Sequence, residues 1–398
     1  MKIAHITTID IAIRVLLLNQ LKSLQEVGFE VYGISAPGPE VKAIEAAGIK
    51  HIAVPMTRRF DPLADLVALK ELYRVMRREQ FTIVHTHTPK PGLLGQLAAR
   101  MIGVPLIINT LHGFYFHEHM AASGRQFYIT LEKIAGRCSH SILSQNREDI
   151  QTAIRENICP AEKIKYLGNG IDVQRFDRRR LDAQLLAPLR QEFKFTNQHQ
   201  VVGFVGRLVR EKGIPELLQA AKIVLQQRPM TKFLFVGPLD EEKTDAFSPA
   251  TAKEYGIAEA CIFTGLRDDM PEMYGLMDIF VLPSHREGFP RSPMEASAMS
   301  IPSVVTNIRG CREVVENGQN GFLVPLGDVA ALSQAMLALL DDQAMALRMG
   351  EIGRAMALER FDEQLVFSRV KAEYARLLKA AGLTVPEQLF LQQEVTIG

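Results

Sequence analysis

The chain has 398 residues, enough for two domains of ordinary size, with 47% hydrophobic and 23% charged residues, as in a soluble globular protein. A net charge of +1 argues against a dedicated nucleic-acid binder. The four cysteines, Cys138, Cys159, Cys261 and Cys311, lie far apart with no Cys-x-x-Cys pair, which excludes a zinc ribbon or disulfide framework and suits a reducing cytoplasm.

The N-terminus enters a strand at once (Lys2 to Thr7), without a signal-peptide layout. No apolar run approaches the roughly 18 residues of a membrane span, so any membrane contact is expected to be peripheral. A helix over residues 11–27 ends at Gly28. Strands over 29–35, 49–54, 81–85, 105–109, 139–144 and 163–167 then alternate with helices over 39–47, 62–79, 92–102 and 125–136. That rhythm predicts a parallel, doubly wound sheet, whose ligands gather at the C-terminal ends of the strands. Asp10 and Arg14 stand after strand one. His85-Thr-His-Thr-Pro-Lys-Pro-Gly92 reads as a polar acceptor loop through His85, His87 and Lys90. If its strand continues, the two histidines are expected on opposite sides, which disfavours a metal pair. His112 stands in Thr110-Leu-His-Gly-Phe114, either as a site residue or buttressing the turn before Gly113. Ser144-Gln-Asn-Arg-Glu148 is a fourth loop at a strand end. Arg58, Arg59, Lys70, Arg74, Arg77 and Arg78 on and before the 62–79 helix form a solvated face or a patch for anionic lipid, worth about 1 kcal/mol per charge near a membrane.

Tyr166-Leu-Gly-Asn-Gly-Ile-Asp172 reads as a tight turn closing a first domain at residue 172. Residues 173–199 read as a charged, irregular linker, and a second alternating series occupies 200–361. There, Val201-Val-Gly-Phe-Val-Gly-Arg-Leu-Val-Arg-Glu-Lys-Gly213 is a strand ending at Gly206, followed by Arg207 and Lys212. Further strands end at Gly237 and before Gly265-Leu-Arg267. The apolar run Met277–Leu282 leads through Pro283-Ser-His-Arg-Glu-Gly-Phe-Pro-Arg-Ser-Pro-Met-Glu295 into an Ala-rich helix. Ser292 suits the N-cap and Pro293 the first helical position, and such a helix end favours a phosphate. Ser292-x-x-Glu295 also matches a capping box, which would occupy Glu295 structurally. Residues 362–380 form a long last helix and 381–398 a tail.

Glu287 and Glu295, eight positions apart, resemble the Glu-x7-Glu motif of retaining nucleotide-sugar glycosyltransferases of the GT-B fold, in particular family 4 (group 1). Gly206-Arg-Leu-Val-Arg-Glu-Lys-Gly213 is similar to that family's Gly-Arg-Leu-x-x-x-Lys-Gly, and Asn169-Gly-Ile-Asp172, Arg309–Glu313 and Gly318–Val324 to its hinge and closing segments. The resemblance spans roughly residues 1–380 and is strongest over 203–213 and 283–324. It implies two Rossmann-like α/β domains facing across a cleft: an acceptor domain over 1–172 and a donor domain over 200–361, with the last helix crossing back to the first.

It further implies a nucleoside-diphosphate sugar donor, most plausibly UDP-linked, and a glycan or polyprenyl-linked acceptor in envelope polysaccharide synthesis at the inner face of the plasma membrane. Breaking a sugar–diphosphate bond leaves extra negative charge, to be met by a metal or by fixed cations. There is no Asp-x-Asp signature, so no cofactor or metal is expected, and Arg207 and Lys212 are assigned to the diphosphate. Glu287 is expected on the sugar, Glu295 on the ribose, and the backbone of Gly288, Phe289, Pro290, Arg291 and Ser292 on phosphate and sugar. Gly206, Gly237, Gly265 and Arg267 are expected around the nucleotide, Arg267 by stacking on the base, and His112 beside the donor sugar. One departure stands out: family members often carry a Gly-Gly pair where this chain has Thr7-Thr-Ile-Asp10. Two other readings remain open, a nucleotide-sugar 2-epimerase and a non-catalytic partner of a glycan assembly complex. A dehydrogenase is disfavoured because no Gly-x-Gly-x-x-Gly follows strand one.

Overall fold

A computed structural model describes residues 1–58, 61–116, 120–238, 247 and 249–391. Arg59 of the basic cluster and residues 392–398 of the expected tail lie outside the described residues. The chain divides into two units: Met1–Gly168 together with the chain from Val366 onward, and Asn169–Leu365.

The first unit is built on a seven-stranded sheet in the order β3-β2-β1-β4-β5-β6-β7. Its strands are β1 (Lys2–Ile9), β2 (Glu30–Ala36), β3 (Lys50–Ala53), β4 (Ile83–His87), β5 (Leu106–Leu111), β6 (Ser141–Ser144) and β7 (Ile164–Tyr166), and every pairing is parallel. Apolar cover on both faces explains why β1, β4 and β5 are buried along nearly their whole lengths. Successive residues feed opposite cores. Ile3, Ile83 and Ile108 pack with Leu21, Leu24, Val366 and Val370, whereas Ala4, Val84 and Ile107 pack with Leu72, Met76 and Ala98. Leu72 and Met76 belong to α1 (Pro62–Glu79), which Asp61 caps by accepting from the Leu63 and Ala64 amides, and Ala98 belongs to α2 (Pro89–Ile102).

The expected helix over 11–27 is not one regular α-helix. Asp10–Ala12 is α, Ile13–Leu17 is a π-helical segment and Leu18–Glu26 is α again. The wider π turn leaves Val15 and Leu16 exposed beside the first loop while Ile13 and Leu17 stay buried.

The second unit carries a six-stranded parallel sheet in the order β10-β9-β8-β11-β12-β13. Its strands are β8 (Gln200–Val205), β9 (Thr231–Val236), β10 (Cys261–Phe263), β11 (Ile279–Leu282), β12 (Ser303–Thr306) and β13 (Gly321–Val324). After β8 the chain makes a short 3-10 turn at Arg210–Lys212 and enters α3 (Ile214–Gln227). After β11 comes α4 (Arg291–Ala298). The last long helix, α5 (Glu363–Ala380), carries the chain back into the first unit, where Val366, Phe367, Val370, Tyr374, Leu377 and Leu378 join its core.

Residues 173–199 differ from the expected irregular linker. Asp182 caps a helix over Ala183–Glu192, and Val173, Phe176, Leu189 and Phe195 are buried in the core of the second unit. Charged residues, the Arg178-Arg-Arg180 run among them, are interspersed with the apolar ones of this stretch, which hid the apolar contacts that fix it.

Gly213 ties the two loops of the second unit together. Its φ is +72°, and a Cβ there would stand 2.0 Å from the carbonyl oxygen of Pro283. Gly213→Ala is therefore expected to lower the unfolding free energy by about 3 kcal/mol, through left-handed strain and a displaced Pro283. Denaturant unfolding with an unchanged slope checks this.

Candidate active site

In the second unit, β8 pairs with β11, so the loops leaving their C-terminal ends are neighbours. The Gly213–Pro283 approach brings Lys212 to Glu287: Lys212 Nζ lies 2.5 Å from Glu287 Oε1. Ser284 Oγ donates to the same oxygen at 2.6 Å, and Thr306 Oγ1 fixes the Ser284 carbonyl at 2.5 Å. Glu287 Oε2 receives no hydrogen bond from any described residue. The Glu287 and Lys212 side chains retain 10% and 19% exposure, so the pair is sheltered yet reachable. A second layer holds this loop. His285 Nε2 meets Glu216 Oε1 at 2.9 Å and Arg286 Nε donates to Glu211 Oε1 at 2.8 Å. The Glu216 hydrogen bond raises the His285 pKa.

α4 begins at Arg291 with Pro290 as N-cap, not at Pro293 with Ser292 as cap, and no side chain caps it. Pro290 sits at φ −71°, ψ 132°, an extended conformation that ring closure favours. The expected capping box is therefore not formed. Ser292 is inside the first turn, and Glu295 turns instead to Tyr274, whose hydroxyl lies 2.8 Å from Glu295 Oε2 and 3.0 Å from the Ser292 carbonyl. Glu295 keeps a part-exposed face, but burial of its carboxyl raises its pKa, against the opposing influence of Arg291. Tyr274, fully buried, has its phenol pKa pushed well up by the same burial. The Phe289 carbonyl accepts from Asn169 Nδ2 at 2.8 Å, which fixes the backbone just before the helix. Bare backbone is also what Gly310 offers, where a Cβ would come within 2.7 Å of the carbonyl oxygens of Glu287 and Gly288.

The glycine loops of the second unit converge. The Gly206 amide donates to the Val236 carbonyl and the Gly237 amide to the Gly265 carbonyl, both at 2.9 Å. A Cβ on Gly237 would meet Gly206 O at 2.0 Å. Arg207 leaves this cluster half-buried. Arg267 does not extend from its loop for stacking. Its guanidinium forms a two-point pair with Asp269 at 2.8 and 2.6 Å, reaches Glu192 at 3.2 Å and lies over the Phe193 ring.

In the first unit, Asp10 and Arg14 are structural. Buried Asp10 accepts from the amides of Ile11 and Glu40, its carboxylate filling the space above Gly38, and Arg14 pairs with Glu40 at 2.5 Å. Lys90 pairs with Asp65 of α1 at 2.5 Å and donates to Thr57. His85 and His87 do not point to opposite sides: positions two apart share a face of a strand, and their rings stack at 4.4 Å. With His5 their ligand atoms lie within 4.8 Å of one another, close enough for a metal ion, yet all six ring nitrogens already have hydrogen-bond partners. His112 is joined to this group through His87 at 3.2 Å. Thr88 has φ +64° and ψ 154°, a costly conformation for a β-branched residue, and its hydroxyl bonds that of Thr8 at 3.0 Å.

The residues that sequence reasoning missed are Tyr274, Ser284, His5 and Tyr374. Tyr274, His5 and Tyr374 are buried polar side chains whose partners lie on distant parts of the chain, and Ser284 is a buried hydroxyl that bonds Glu287 three residues on. Only an out-of-pattern histidine in strand one hinted at any of them.

Two parallel α/β sheets with loops of this kind at their C-terminal ends define a GT-B glycosyltransferase. Residues 188–356 match the family described as glycosyl transferases group 1 and residues 13–175 the one described as glycosyltransferase family 4. The chain is 30% identical over 386 residues to the capsular polysaccharide biosynthesis glycosyltransferase CapM of Staphylococcus aureus, covering 95% of this chain and 98% of CapM. It is 28% identical to the Escherichia coli UDP-Gal:alpha-D-GlcNAc-diphosphoundecaprenol alpha-1,3-galactosyltransferase, over 86% of this chain and 89% of that one. Anabaena HepE, solved with UDP and glucose, superposes with a TM-score of 0.80 at 21% identity, over 94% of this chain and 100% of HepE. The protein belongs to the family 4, group 1 glycosyltransferases.

Glu295 supplies a test of this geometry. A carboxyl whose folded pKa is raised contributes stability that is complete below its ordinary value of 4.5 and is lost as pH rises through the raised one. Glu295→Gln is therefore expected to melt higher than the parent at pH 8, to match it near pH 4, and to lose donor affinity. Thermal melts at the two pH values and donor titration check this.

Proposed function

We propose that the enzyme transfers a sugar from a UDP-sugar to a polyprenyl-diphosphate-linked glycan, retaining anomeric configuration and using no divalent metal. The observation that carries this reading is the Lys212–Glu287 pair beside the uncapped start of α4. In it Arg207 and Lys212 are the fixed cations for the diphosphate, helped by the partial positive charge of the first turn of α4. Glu287 accepts from the sugar hydroxyls through Oε2, and Glu295, held by Tyr274, accepts from the ribose. Gly206, Gly237 and Gly265 let backbone approach the nucleotide. His112 offers a ring nitrogen to a sugar hydroxyl. In this reading the departing phosphate oxygen takes the acceptor proton. The names of the two relatives, one for capsular polysaccharide and one for a UDP-Gal donor with a diphosphoundecaprenol-linked acceptor, support the donor and acceptor classes.

A lipid-linked acceptor requires approach to a membrane. No described helix is long and apolar enough to cross one. The outer stripe of α1 instead runs from exposed Leu63, Leu66 and Val67 to exposed Lys70, Arg74, Arg77 and Arg78. This is the composition of a surface that lies on anionic lipid, with the apolar end next to the Lys90 loop.

Lys212→Ala is expected to lower kcat by about 1,000-fold, roughly 4 kcal/mol, with the fold intact by circular dichroism. Parent-like turnover would remove the diphosphate assignment. Turnover is expected to be unchanged by EDTA, and a loss that Mg2+ restores would end the metal-independent reading. Vesicles of anionic lipid are expected to sediment the protein at low salt, and Leu66→Asp with Arg74→Glu to leave it in the supernatant.

A further inference from the structure

Behind His112 runs a string of five hydrogen bonds that none of the assigned roles uses. His112 Nε2 faces His87 Nδ1 at 3.2 Å, and His87 Nε2 faces His5 Nδ1 at 3.0 Å. His5 Nε2 faces the Tyr374 hydroxyl at 3.2 Å, and that hydroxyl faces His85 Nδ1 at 2.7 Å. His85 Nε2 meets Thr110 Oγ1 at 2.7 Å. The five inner residues are at most 3% exposed. They come from β1, β4, β5 and the returning helix α5, so the string crosses the centre of the first unit.

Proton counting restricts this string. Each contact needs one hydrogen, and each neutral imidazole and hydroxyl supplies one. Six hydrogens thus serve five contacts, and since an imidazole N–H cannot accept, the one spare hydrogen falls on Thr110, Tyr374 or His112. A cation at any inner position would be buried without a counter-charge; burial holds His5 down at about 3, and His85 and His87 well below their ordinary range. Buried Thr110 and Tyr374 have no further hydrogen-bond partner for their hydroxyls among the described residues, whereas His112 is part-exposed, so the spare hydrogen falls on His112. His112 therefore donates outward, through Nδ1 by elimination, and accepts at Nε2 from His87. The order from donor to acceptor is Thr110, His85, Tyr374, His5, His87, His112.

We propose that this buried string is a positioning device for His112. It locks the ring in the tautomer whose Nδ1–H is offered to a substrate hydroxyl, and makes His5, His85, His87 and Tyr374 positioning residues for glycosyl transfer. The inference rests on the reading of His112 as a contact to a sugar hydroxyl. The hydroxyl of Tyr374 is the one member that a near-isosteric change removes, since Phe would keep the edge-on packing against Phe29.

The experiment compares full-length parent, Tyr374→Phe, His87→Gln and His87→Leu, labelled with 15N-histidine, by ring-nitrogen NMR and by steady-state kinetics. In the parent His112 is expected to show one tautomer, protonated at Nδ1. Tyr374→Phe breaks the string, so the His112 nitrogens are expected to shift to values averaged over both tautomers. Its kcat is expected to fall about ten-fold with donor KM within about two-fold. His87→Gln, whose amide can accept from His5 and donate to His112, is expected to retain the parental tautomer and most of kcat, and His87→Leu to lose both. Unchanged His112 shifts in Tyr374→Phe and His87→Leu would overturn the proposal outright. Changed shifts with parental kcat would instead overturn the assignment of His112 to the sugar, and with it the positioning role, while leaving the diphosphate reading of Lys212 untouched.

Discussion

The chemistry of the second unit depends on one strand pairing. β8 lies against β11, although Lys212 and Glu287 on the loops beyond them are 75 residues apart. Parallel pairing sends both loops out at the same sheet edge, and Gly213 allows them to touch at Pro283. A basic side chain from the short 3-10 turn and an acidic one from the loop after β11 are then held 2.5 Å apart. The first unit repeats the arrangement. β1 lies against β4 with His5 opposite His85, and the unit's polar cluster forms at that crossover. In a doubly wound sheet the helices leave to opposite faces at this point, which opens room for a ligand.

Two carboxylates eight positions apart end in different electrostatic environments. Glu287 faces a lysine and a serine hydroxyl and keeps one oxygen without a donor among the described residues. Glu295 lies one helical turn into α4, against a phenol in the core, where burial raises its pKa. The first is a group that can exchange its partner for a ligand hydroxyl at small cost. The second loses part of its desolvation penalty only when further donors reach it. The absence of a side-chain cap on α4 follows from its start, because the N-cap is Pro290, which has no polar side chain, and Glu295 then lies too far into the helix to complete a capping box.

The first unit handles its polar residues differently. After β1, Asp10 and Arg14 tie the first helix to Glu40 and its neighbourhood. The loop that could have cradled an anion with bare backbone is thus cross-braced by side chains. The π turn at Ile13–Leu17 and the strained Thr88 are local distortions at the C-terminal edge of the same sheet, a place where irregular backbone is retained for ligands more often than for stability.

The alternation of apolar strands and amphipathic helices fixed the parallel α/β architecture without reference to any coordinate, because period and length are local properties. The glycine turns at Gly206, Gly213 and Gly237 and the Glu287 to Glu295 spacing were likewise visible, since backbone requirements and short loops are written in adjacent residues. The helix start at Arg291, the Tyr274–Glu295 bond, the helical packing of residues 173–199 and the imidazole string were not. Each depends on which distant segment fills the neighbouring space, and burial converts that proximity into a hydrogen bond that a local pattern cannot announce. His85 and His87 show the division most plainly: the sequence reading placed them on opposite sides although a spacing of two sets them on one face, whereas their partners His5 and Tyr374 were decided by the fold.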